Sequence, residues 1–194
     1  MARIIIAAIV GGLIVFCWSS VAHMFLSLGE MGMHTDKLPG EVALRSAMTE
    51  HLPESGLYFI PGMDPALESD PAKQWDEAAE RMASGPVALM VVRKDGHSGM
   101  AKELVLEGIA NICGALIAAL IICCIPCAFF CRVLVVMALG LFSWISIDAS
   151  YVIWYGFPVE YAAGQLIDHL VGWLLAGLAI AAIVKPCAKC TTAP

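Results

Sequence analysis

Gln165, Asp168, His169 and Gly172 fall at i, i+3, i+4 and i+7, so on a helix they share one face, and Glu107 and Asn111 share a face of another in the same way. His23 adds an imidazole near the end of one further apolar run and Asp148 a carboxylate inside another. Carboxylates and imidazoles in this combination can exchange protons, bind a polar ligand or hold a metal ion. What makes them notable is their setting, because each lies inside or beside a run apolar enough for lipid, where an ionisable group must be paired, protonated or wetted. Asp148 sits seven residues before Tyr155, about 10 Å from that end at about 1.5 Å per residue. His169 or His23 is its expected partner. The seven residues His23, Glu107, Asn111, Asp148, Gln165, Asp168 and His169 all map to the same half of the spans, which predicts one polar pocket walled by Trp18, Tyr151, Trp154, Tyr155 and Trp173. The same side chains can also serve simply to hold helices together through hydrogen bonds.

The elements that must position these residues are four apolar runs, 2–26, 104–130, 133–155 and 161–184, each at or above the roughly 20 residues needed to cross a hydrocarbon core. Composition agrees: 60% of the 194 residues are hydrophobic and only 14% charged, and the mean hydropathy is +0.81, too apolar for an ordinary soluble domain. The expected fold is an α-helical integral membrane protein, a four-helix transmembrane bundle with a small α/β insert at 27–103 between the first and second helices and a tail at 185–194. Arg3, the apolar run after it and Ser20-Val21-Ala22 imitate a secretory signal. The run exceeds the usual length of such a signal, so a retained anchor is expected.

Outside the insert, the basic residues Arg3, Arg132, Lys185 and Lys189 fall at one set of helix ends if four helices alternate. The positive-inside rule then puts both termini in the cytoplasm and residues 27–103 outside it, in a cell membrane read as the bacterial inner membrane. Cysteine placement agrees: the insert has none, while Cys123, Cys124, Cys127, Cys131, Cys187 and Cys190 all fall at the cytoplasmic ends, where a reducing compartment keeps thiols free. Cys124-x-x-Cys127 and Cys187-x-x-Cys190 have the spacing of a paired zinc or redox site. Pro126 and the apolar surroundings of the first pair argue for inert or acylated thiols instead.

Within the insert, residues 40–52 have helical spacing, 57–60 and 87–92 read as strands, and Asp70-Pro71 opens a second helix that Gly85-Pro86 closes. Asp95-Gly96 is a turn signal, leaving room for a third strand. So small a unit buries little surface alone, and it is expected to pack on the bundle or on a partner.

The layout of four spans with a large first outer loop is similar to that of claudin-like proteins and of quinone-coupled disulfide oxidoreductases of the vitamin K epoxide reductase type. This outer loop has no cysteine pair, and the Cys187 pair lies at the opposite end from the one such an oxidoreductase uses, so neither resemblance assigns a functional residue. The expected role is therefore a non-catalytic accessory or interaction subunit of a membrane complex. Its expected partners are the lipid bilayer and other membrane subunits or a second copy, and not nucleic acid, since 17 acidic residues outnumber 11 basic ones. The alternative is a membrane oxidoreductase, or a quinone-, haem- or metal-binding protein, that uses the polar pocket.

Overall fold

In the computed structural model, which describes residues 1–186, the chain forms helices α1 (Ala2–Met24), α2 (Glu41–His51), α3 (Pro71–Ser84), α4 (Ala101–Cys123), α5 (Phe129–Ser146), α6 (Asp148–Tyr155) and α7 (Val159–Ile183), with strands β1 (Gly56–Ile60) and β2 (Ala88–Val92). Four of its helical stretches, with α5 and α6 counted as one, are long and apolar enough to cross a membrane. Residues 1–35 and 99–186 form one compact unit and Asp36–Ser98 another, so the folded insert is narrower than the 27–103 expected from the sequence.

In the bundle, α7 is the central helix, packing on α1, α4, α5 and α6, while α1 also packs on α4. Its interior is built from small residues: Ala7, Ala115, Ala118, Ala119 and Ala176 are completely buried, joined by Ile122, Val136 and Ile180. Small side chains let helix backbones approach closely, which replaces the burial of large side chains as the source of packing energy. Gly12 is the tightest example, since a Cβ there would lie 2.5 Å from the Ile112 Cα of α4. The large apolar residues point the other way: Ile9, Leu13, Ile117, Leu134 and Phe142 are all exposed.

Three boundaries differ from the hydropathy reading. The second apolar run does not continue to 130, because α4 ends at Cys123 and residues 124–128 are irregular around Pro126, which has no N–H to donate and disfavours helix at the residue before it. Helix α5 accordingly starts at Phe129 rather than at 133 and takes Arg132 into its first turn. The third run is interrupted at Ile147, where φ −114° and ψ −65° separate α5 from α6, although neither glycine nor proline marks the place. Across the far side of the bundle, the buried Arg132 guanidinium donates to the Val184 carbonyl at 2.5 Å and caps the end of α7, a favourable place for a cation against the helix dipole.

The insert follows its sequence signals closely. Pro71 lies in the first turn of α3 and the Asp70 carboxylate accepts from the Lys73 N–H at 3.2 Å, the ordinary N-cap arrangement. Strands β1 and β2 pair antiparallel, with Leu57 opposite Val91 and Phe59 opposite Leu89 on one face. Among the described residues only these two strands form: Gly96 closes a turn onto the Arg93 carbonyl, and the chain then enters α4 instead of a third strand. Only Ala78 is buried in this unit, and α2 has no buried residue.

Candidate functional site

The polar residues converge where α1, α4 and α7 meet at the end of α1 from which the chain leaves for the insert. Two hydrogen bonds fix α1 against α7 there. Trp18 Nε1 donates to the Asp168 carbonyl at 3.1 Å, and Ser19 Oγ donates to Asp168 Oδ2 at 3.3 Å. One turn on, His23 Nδ1 lies 2.9 Å from the Ser19 carbonyl. A carbonyl only accepts, so Nδ1 carries the proton and Nε2 is the nitrogen left over. The His23 ring lies against Gly29, where any Cβ would collide with it; glycine is what allows the chain to pass the ring. On α4, Asn111 Nδ2 donates to Glu107 Oε1 at 3.2 Å, the i, i+4 contact expected from their spacing.

These side chains border a cleft of about 440 Å³ lined by Ser19, Ser20, His23, Glu107, Gln165, Asp168 and His169, with Phe16, Met24, Met100 and Leu104 on its apolar side. Five of the seven sequence-selected residues, namely His23, Glu107, Gln165, Asp168 and His169, therefore line one cavity. The other two stand beside it: Asn111 through Glu107, and Asp148 through His169, whose Nδ1 lies 3.9 Å from Asp148 Oδ2. His169 is thus the neighbour of Asp148, while His23 pairs with Ser19. Asp148 is 8% exposed at its side chain and His169 30%, so the imidazole stands between the buried carboxylate and the cleft.

The expected aromatic wall is not the wall of this cleft. Trp173 packs on Gly114 and Gly140 instead. Tyr155, Tyr151, Phe157 and Tyr161 form a chain of tilted and edge-to-face contacts with ring centroids 5.1 to 5.9 Å apart, and Trp154 is exposed. The sequence reading missed Phe16, Met100 and Leu104, although a signal was present: Met100, Leu104 and Glu107 lie at i, i+4 and i+7, as do Phe16, Ser20 and His23.

Among the described residues, no three His, Cys, Asp or Glu side chains are grouped as a metal would require. Cys124 and Cys127 are free thiols in the irregular segment between α4 and α5; the other half of the candidate zinc pair, Cys187 and Cys190, lies outside the described residues. Comparisons of this chain with protein-family models, with curated proteins and with solved structures give no match.

Proposed function

We propose that the chain is a four-span membrane protein that serves as a non-catalytic interaction subunit, with the bundle in lipid and the insert docked to other membrane subunits or to a second copy. The observation that carries the reading is the insert's lack of a core. Leu57, Val91, Trp75 and Val42 are 61 to 77% exposed there while a single alanine is buried. A folded unit that leaves this much apolar surface in water gains by covering it with a partner. Lipid placement of the bundle is supported by its alanine interior and its exposed shell of Ile, Leu and Phe, the reverse of a water-soluble helical protein. The proposed membrane is the bacterial inner membrane with cytoplasmic termini. Arg132 at the start of α5 and Lys185 just after α7 lie at one end of the bundle, joined through the Arg132 bond to Val184, which supports that orientation.

Photo-crosslinkable residues placed at Val91 and at Trp75 test the proposal in intact cells. Discrete adducts with one or a few membrane proteins, or with a second copy, are expected from both positions. Adducts with lipid alone, or none, would contradict it.

A second reading, in which the cleft itself is a binding site, is favoured by the convergence of two carboxylates and two imidazoles on one cavity of ligand size.

A further inference from the structure

The lining of the cleft combines donors already committed on the α1 side, the Gln165 amide and the His169 imidazole on the α7 side, and two carboxylates. Ser20 Oγ donates to the Phe16 carbonyl at 2.8 Å, Ser19 Oγ to Asp168 Oδ2, His23 Nδ1 to the Ser19 carbonyl, and beside the cleft Asn111 Nδ2 donates to Glu107. The hydroxyl and imidazole N–H groups of the α1 side are therefore spent inside the protein. The acceptors are not. An ionised carboxylate offers about four acceptor positions, yet among the described residues Glu107 and the Asp168 side chain receive one hydrogen bond each. Among the described residues no Lys or Arg side chain lines the cavity.

We propose that the cleft binds an organic cation, specifically a protonated amine carrying a compact apolar body. This rests on the reading of the cleft as a binding site and narrows it. An ammonium group brings several donors and no acceptor, so it answers Glu107 and Asp168 together. Charge-assisted bonds of this kind are the strong ones. Phe16, Met24, Met100 and Leu104 offer the apolar half of the ligand an apolar surface to cover and the ammonium an aromatic ring. A carboxylate ligand would instead bring its charge against Glu107 and Asp168, with no Lys or Arg among the described lining residues to offset it.

Three ligands that share a phenylethyl-sized body decide the matter: phenethylamine, phenethyl alcohol and phenylacetate, measured by equilibrium dialysis on the full chain in phosphatidylcholine nanodiscs, with empty nanodiscs as the baseline. The amine is expected to bind saturably, the alcohol about tenfold or more weaker, and phenylacetate not at all, the loss of one charged hydrogen bond being about that large. Glu107→Gln and Asp168→Asn should each weaken the amine by a similar factor and leave the alcohol unchanged, whereas Glu160→Gln, remote from the lining, should alter neither. Thermal melting of each variant identifies any that fails to fold, and the ranking of the three ligands on the unaltered chain stands without them. Equal binding of amine and alcohol, or preference for phenylacetate, would overturn the cation assignment while leaving the cleft a site. Failure of all three to saturate at millimolar concentration would overturn both.

Discussion

On the bundle and on the insert, large apolar side chains are exposed to a similar degree, but their neighbours differ. Along α1 no charged residue falls between Arg3 and His23, so Ile5, Ile6, Ile9 and Leu13 form an unbroken apolar surface. In α3 the exposed Trp75 is followed directly by Asp76 and Glu77, and in β2 the exposed Val91 stands two residues before Arg93. The interiors differ too, since the bundle closes over a contiguous alanine, valine and isoleucine core whereas the insert buries Ala78 alone. Exposure by itself therefore says little. A continuous uncharged shell around a tight interior fits lipid, and interrupted apolar patches over almost no interior fit a protein partner in water.

Substitutions that place one change on each side of this contrast can break it. Phe142 lies midway along the 27-residue span formed by α5 and α6 and is 68% exposed; Phe142→Lys should raise the cost of membrane insertion by about 3 kcal/mol, read with a glycosylation-tag insertion reporter. A Gly12→Leu change drives a side chain into the α4 backbone and should cost about 2 to 3 kcal/mol, seen as a lowered melting temperature in detergent. Arg132→Ala removes the charged donor to Val184 and should cost about 2 kcal/mol by the same assay, with Arg132→Lys recovering part of it. Val91→Lys repeats the Phe142 change in chemistry on the insert. It should alter stability by less than about 0.5 kcal/mol while abolishing partner crosslinks. A Val91→Lys penalty as large as that of Phe142→Lys would erase the distinction between the two surfaces.

Much of this was readable from residue order. Length and hydropathy located all four long helices, Asp70-Pro71 located the start of α3, and the spacing of Gln165, Asp168 and His169 put them on one side of α7. The local errors share a cause: hydropathy reports solvent and not backbone geometry. Cys124 through Phe130 is apolar enough to extend α4, and the proline that ends it is a weak mark in such a run. Ile147 carries no mark at all: its N–H on the Ser143 carbonyl and its own carbonyl receiving the Tyr151 N–H are ordinary helical bonds, so the ladder runs through the position and only its φ and ψ depart. The aromatic wall was misassigned for a different reason. Which residues face a shared cleft depends on how each helix is rotated about its axis, and that is set by close contacts such as Gly12 on Ile112 and Trp173 on Gly140, which one helix's periodicity does not encode. Polar partners were easier to foresee than apolar ones, since an imidazole near a carboxylate has few alternatives within an apolar run.

The measurement that bears most directly on this account is residue-resolved photolabelling of the full chain in native membranes with a carbene precursor confined to the bilayer interior. The account predicts label on Ile9, Leu13, Ile117 and Phe142 and none on Leu57, Trp75 or Val91. Label on the insert residues at the same level, or an unlabelled bundle exterior, would contradict it.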